Sequence, residues 1–178
     1  MDVKSAGCEI PLKFRISDEV PNIGSKLTID LPTKTDGELI LVINYKTSPN
    51  ASALQWLNKE QTSGKNHPFM FSQCQAIHAR SILPCQDSPA IKFTYNAILH
   101  HPSELTALMS AIRISGGNGI TNYKQEVPIP SYLLAIAVGD LVGKSVGPRS
   151  IVWAERNVVD EAAEEFSDTE TFIQTAER

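Results

Sequence analysis

Short runs of alternating apolar and polar residues, each closed by a turn signal, constrain this chain more than any other feature. Residues 8–16 set Cys8, Ile10, Leu12, Phe14 and Ile16 on one side and Glu9, Pro11, Lys13 and Arg15 on the other. A period of two marks a half-buried strand, because successive side chains of a strand point to opposite faces. Pro11 has no amide hydrogen to give a ladder, so the strand belongs at a sheet edge. Residues 18–25 read as a turn, and 26–31 as a second short strand with Leu27, Ile29 and Leu31 inward. Asp36-Gly37 is a tight-turn signal. Residues 38–45 are apolar on nearly both faces, which predicts a central, covered strand.

The alternation returns at 91–98 through Ile91, Phe93, Tyr95 and Ala97. Residues 105–112, lying between two such runs, are expected to be strand. Ser115-Gly116-Gly117-Asn118-Gly119 reads as a hairpin loop, and 121–127, 132–138 and 150–153 as further strands. Residues 47–68 interrupt the pattern. They read as an ordered loop around the island 53–57, with Trp56 either pinning the loop or simply lying in the core. From Asn157 the period changes to about 3.6, with Val159, Ala162, Ala163 and Phe166, then Phe172, Ile173 and Ala176. This predicts one short helix ending near Phe166 and a second starting at Ser167, where Ser167 and Glu170 have capping-box spacing. The expected fold is mainly β, an antiparallel β-sandwich-like domain followed by two short helices.

Charge and hydropathy then exclude several functions. A net charge of −4, with 16 basic residues scattered along 178, gives no clustered surface for phosphate, so no nucleic-acid partner is expected. No apolar run approaches the roughly 20 residues of a membrane span, and the N-terminus has no charged-then-apolar leader. Three cysteines, an odd number, suit a reducing compartment, so the cytoplasm is the expected location.

The chemistry is concentrated in residues 72–89. Gln73, Cys74, Gln75, His78, Arg80, Cys85 and Asp87 crowd there among apolar residues, with Pro84 and Pro89 bracketing a turn. Polar groups at this density must be networked or face a partner. In a strand, Gln73 and Gln75 would point to the same side and present two amides, acceptors for an ammonium group or donors for a carboxylate. Arg80 and Asp87, seven residues apart across the turn, read as a partly buried ion pair that holds it, in preference to a catalytic pair. His78 reads as a satisfied interior histidine. A Cys74–His78 nucleophile pair lacks an orienting partner in the sequence. There is no HExxH, no CxxC and no phosphate-binding glycine loop, so no metal site is expected in this chain.

The run Phe71-Ser72-Gln73-Cys74-Gln75-Ala76-Ile77-His78, then Arg80, Pro84-Cys85-Gln86-Asp87 and Pro89, resembles the N-terminal domain of the zinc aminopeptidases of peptidase family M1. Ser52-Ala53-Leu54-Gln55-Trp56-Leu57, Glu60-Gln61-Thr62-Ser63-Gly64-Lys65, Val127-Pro128-Ile129-Pro130 and Gly147-Pro148-Arg149 continue the likeness in order. It covers roughly residue 38 onward, and the first thirty or so residues match only loosely. The resemblance implies a saddle-like antiparallel β domain over 1–155 and, over 156–178, the helical start of a truncated catalytic domain. It also implies that Gln73, Cys74, Gln75 and Ala76 form the strip that meets a peptide N-terminus. Zinc, the general base and the remaining partner, the catalytic domain, would belong to the full-length parent. On this reading the chain alone does not catalyse. The alternative is a stand-alone, inactive β domain that binds peptides or serves as an interaction module.

Overall fold

A computed structural model describes residues 2–5, 8–31 and 39–178. The described strands are β1 (Asp2–Ser5), β2 (Cys8–Pro11), β3 (Phe14–Ile16), β4 (Leu27–Ile29), β5 (Leu41–Asn44), β6 (Leu54–Leu57) and β7 (Phe69–Ser72). They continue with β8 (Lys92–His100), β9 (Thr106–Met109), β10 (Ile112–Gly117), β11 (Ile120–Pro130), β12 (Ile136–Gly139), β13 (Leu141–Gly147) and β14 (Ser150–Glu155). Two helices follow, α1 (Val159–Glu165) and α2 (Thr169–Ala176). Among the described residues the strands form sheets of order β2-β1-β5, β10-β11-β8, β6-β7-β12-β9, β13-β14 and β3-β4. Every ladder is antiparallel. The fold is mainly β, and both α-helices among the described residues lie at the end of the chain.

Where the alternation is clean, it gives the strand and its faces. In β8, Phe93, Tyr95, Ala97 and Leu99 are half-buried and the residues between them exposed. Tyr95 and Tyr123 carry the inner face to the next layer through their hydroxyls. Tyr95 Oη donates to the Ser110 carbonyl at 2.9 Å, and the buried Tyr123 Oη to the Ala107 carbonyl at 2.7 Å.

The run 8–16 is not one strand. It breaks at Leu12-Lys13, where the chain passes from one sheet to another: Leu12 N–H donates to the Val3 carbonyl, and the Lys13 carbonyl accepts from Asp30 N–H. A period of two survives that hand-over, so sequence alone cannot show it. The strand expected at 38–45 as central is instead terminal in the sheet β2-β1-β5, and Ile40 is 58% exposed. The Asp36-Gly37 turn lies outside the described residues.

Residues 47–68 are not a single loop. They contain β6, paired with β7 from Leu54↔Ser72 to Leu57↔Phe69, and a turn of 3-10 helix at Lys59–Gln61. Trp56 neither pins a loop nor lies in the core. It stands 57% exposed on β6, an outer strand of its sheet. The apolar run 105–112 divides at Ser110: β9 pairs with β12 and β10 with β11. The expected five-residue hairpin loop tightens to Asn118-Gly119, both at positive φ (51° and 76°), with β10 extending to Gly117 opposite Ile120. That geometry is a two-residue turn whose twist matches the strands.

Strand β13 has no alternating signature in the sequence, because Gly143 and Gly147 break it. It is defined by its partner: a Cβ on Gly143 would lie 3.0 Å from the Trp153 ring of β14. The helices lie where the 3.6 period predicts, and α1 buries Val159 and Ala163. The capping box does not form. Asp168 occupies the N-cap without a side-chain cap bond. Glu170 instead accepts from Gln174 and, at 3.2 Å, from both Nε and Nη2 of Arg149. A guanidinium offers a charge-assisted pair that a backbone amide cannot match.

Candidate functional site

Pairing of β6 with β7 brings residues 52–53 alongside 73–74. Gln73 N–H donates to the Ala53 carbonyl at 2.8 Å, extending the ladder by one bond. The chain then leaves the sheet. Ala53, Cys74 and Ala79 form a small fully buried cluster, with Ile82, Leu83 and Cys85 packed on it. Small side chains are required here because three backbone segments converge. Between Cys74 and Ala79 the residues Gln75, Ala76 and Ile77 arch outward and are exposed, with a cis peptide joining Gln75 to Ala76.

The two glutamines therefore do not share a strand face, since β7 ends at Ser72. They are coupled in another way: Gln73 Oε1 accepts the Gln75 backbone N–H at 3.1 Å. This fixes the chemistry of the first amide. Its oxygen is engaged within the turn and its NH2 group remains to donate, while the exposed Gln75 amide can offer either end. Cys74 points inward and is 1% exposed.

His78 closes the arch. Its N–H donates to the Cys74 carbonyl, its own carbonyl accepts from Ser81 N–H and Ser81 Oγ, and its ring Nδ1 lies 2.7 Å from Ser52 Oγ. Ser81 Oγ in turn accepts from Ala53 N–H at 3.0 Å. His78 is therefore bonded to Ser52, leaving no Cys74–His78 pair. Burial, aided by the Asp87 carboxylate, raises the Cys74 thiol above its ordinary value despite a hydrogen bond from Ser72. Cys85 is pushed up to about 11, by burial first and then by Asp87. Both are thiols at neutral pH, and thiols are poor nucleophiles.

Arg80 and Asp87 anchor the far end of the segment. Arg80 Nε lies 2.9 Å from Asp87 Oδ2, Nη2 donates to the Asp87 carbonyl, and Nη1 donates to the Ile23 carbonyl. Asp87 Oδ2 also accepts from Arg80 N–H, and Oδ1 accepts from Ser131 Oγ. Burial works to raise the Asp87 carboxyl, but the bonds from Ser131 and Arg80 outweigh it and hold it below the usual carboxylate value.

Ser52, Ser81 and Ser131 escaped the sequence reading. Serines carry no distinguishing pattern, and their partners lie 26, 28 and 44 residues away. A cavity of about 690 Å³ opens beside Arg80, Cys85 and Asp87 against Leu27, Ile29 and Leu41, but residues 73–78 do not line it. The exposed arch is a surface rather than a pocket. No group of three His, Cys, Asp or Glu side chains among the described residues is placed to hold a metal ion. Among the described residues no helix is long and apolar enough to cross a membrane.

This mainly antiparallel β fold has counterparts among known proteins. Residues 4–133 match the Peptidase M1 N-terminal domain, and the chain belongs to that family. It is 51% identical over 163 residues to leukotriene A-4 hydrolase of Xenopus laevis, a match covering 86% of this chain and 27% of that protein. It is 44% identical over 165 residues to leucine aminopeptidase 2 of Yarrowia lipolytica, covering 92% of this chain and 26% of the relative. The solved structure of yeast LTA4 hydrolase in complex with bestatin superposes with a TM-score of 0.91 at 40% identity, over 99% of this chain and 27% of that one. The chain thus spans about a quarter of the length of these relatives.

Proposed function

We propose that this chain is the N-terminal part of a zinc metalloaminopeptidase of the leukotriene A-4 hydrolase type, and that its arch at 73–76 receives the free amino end of a peptide. In this reading residues 1–155 are the β domain and 156–178 begin a catalytic domain. Gln75 and Ala76 face the peptide, with the Gln75 amide oxygen accepting from its ammonium group; the Gln73 NH2 group, which can only donate, serves a peptide carbonyl, and Cys74 is the buried anchor beneath them. Arg80 and Asp87 hold the following turn in place. The observation that carries the reading is the exposure of Gln73, Gln75 and Ala76 directly above a fully buried Ala53–Cys74–Ala79 cluster, in a chain of the M1 family. Rigid support beneath an exposed polar turn is what recognition of a small charged group needs. The sequence contains no HExxH pair, so the zinc and the water it would activate depend on residues outside this chain.

The test is to isolate the endogenous protein with an antibody against residues 73–89, and to read its intact mass, metal content and peptidase activity. The expected product is several times heavier than 19.5 kDa, carries one zinc and removes the first residue of an unblocked peptide but not of its N-acetylated form. A metal-free, inactive species of 19.5 kDa would overturn the reading in favour of a stand-alone peptide-binding domain. The same preparation, offered a lipid epoxide, decides whether the protein also opens epoxides.

A further inference from the structure

We infer that Ser52 and His78 are positioning residues, whose side-chain contact sets the placement of the Gln75–Ala76 arch against its ligand. The inference rests on the reading of that arch as the peptide-binding strip. The arch has two buried feet, Cys74 and Ala79. Gln73 on one side is held by the Ala53 carbonyl at 2.8 Å. On the other side the 52–53 segment makes two more contacts, Ala53 N–H to Ser81 Oγ and Ser52 Oγ to the His78 ring. Two consecutive residues on one segment therefore grip both ends of the arch, across 26 residues of sequence at His78.

The contacts differ in kind. Those of Ala53 belong to a buried residue and to the packing of the fold. The Ser52–His78 contact joins an exposed serine to a half-buried imidazole, so it can be removed without opening the cluster beneath. What it restrains is the end of the arch: His78 N–H closes onto the Cys74 carbonyl, and Gln75 N–H onto Gln73 Oε1. With the ring released, the three exposed residues between those bonds gain freedom. A displacement of about 1 Å at a positioning group can cost on the order of 100-fold in turnover efficiency. The contact needs no particular charge on His78, because the serine hydroxyl can donate to a neutral Nδ1 or accept from a protonated one.

The experiment compares wild type, Ser52→Ala and Ser52→Thr in the full-length protein, by hydrogen–deuterium exchange over residues 73–78 and by kinetics on alanine 4-nitroanilide. Ser52→Ala is expected to speed exchange at the Gln75 and His78 amides about tenfold and to raise KM about tenfold, with Tm and kcat little changed. Ser52→Thr, which keeps the hydroxyl, is expected to restore both. Unchanged exchange in Ser52→Ala overturns the inference. So does faster exchange with an unaltered KM, or failure of threonine to rescue. If the wild type does not cleave the anilide at all, the aminopeptidase reading falls. The exchange result then still decides whether Ser52 holds the arch.

Discussion

Asp87 receives three hydrogen bonds on its side chain, two from Arg80 and one from Ser131, while being only 2% exposed there. The carboxylate thereby ties the segment after the glutamine arch to the residue that follows β11, and through Arg80 Nη1 to the Ile23 carbonyl. Truncating it would strand a guanidinium that is mostly shielded from water. Asp87→Ala is expected to cost about 3 kcal/mol, the lower end for a broken buried pair because Arg80 is partly exposed. Asp87→Asn should cost less. The urea midpoint reads both.

The same group makes stability depend on acid. The folded carboxyl titrates below its ordinary value. Its contribution is therefore complete above the unfolded value, near about 3.9, and is lost as the pH falls through the lower folded value. Unfolding free energy measured against pH should fall more steeply below about pH 4 in the wild type than in Asp87→Asn. Equal slopes would show that Asp87 is not the group responsible.

Cys74 and Cys85 should resist alkylation. At pH 8 an ordinary thiol near 8.5 is about a quarter thiolate, and Cys85, pushed up to about 11, about a thousandth, so its reaction should be at least ~100-fold slower; Cys74 is protected by its burial, which also raises its thiol. Iodoacetamide treatment of the native protein, followed by peptide mapping, is expected to leave both unmodified until urea is added. Rapid native labelling of Cys74 would revive a cysteine-based chemistry that its burial argues against.

Tyr123→Phe removes the bond to the Ala107 carbonyl and with it a tie between β11 and β9. The lost bond is worth about 1–2 kcal/mol at a buried site. Thermal unfolding should show a lower Tm with an unchanged far-ultraviolet spectrum, because each strand keeps its own ladder.

Gly119→Ala should be more damaging than the gain of one methyl group suggests. Gly119 sits at φ +76°, and an added Cβ would fall 2.5 Å from the His101 carbonyl oxygen. Strain of about 1–3 kcal/mol is expected. Gly117→Ala in the same hairpin, where a Cβ meets nothing within 4 Å, is the control.

The sequence alone determined the class of fold and the faces of its cleaner strands. Alternation through Phe93, Tyr95 and Ala97 can be satisfied in few ways, as can the shift to a 3.6 period at Val159, because local periodicity and burial express the same geometry. Residues 71–78 also carried the family. Tertiary structure decided the rest. It split 8–16 between two sheets, left Trp56 in solvent and made a strand of the glycine-broken stretch Leu141–Gly147. It also turned the expected glutamine strand into an arch, because small side chains at Ala53, Cys74 and Ala79 let three segments meet. Ser52, Ser81 and Ser131 acquired their roles in the same way. Each is an unremarked hydroxyl until folding brings it beside a partner more than 25 residues away, or closes the turn that needs it. Such pairings depend on which strands become neighbours, and no local pattern records that.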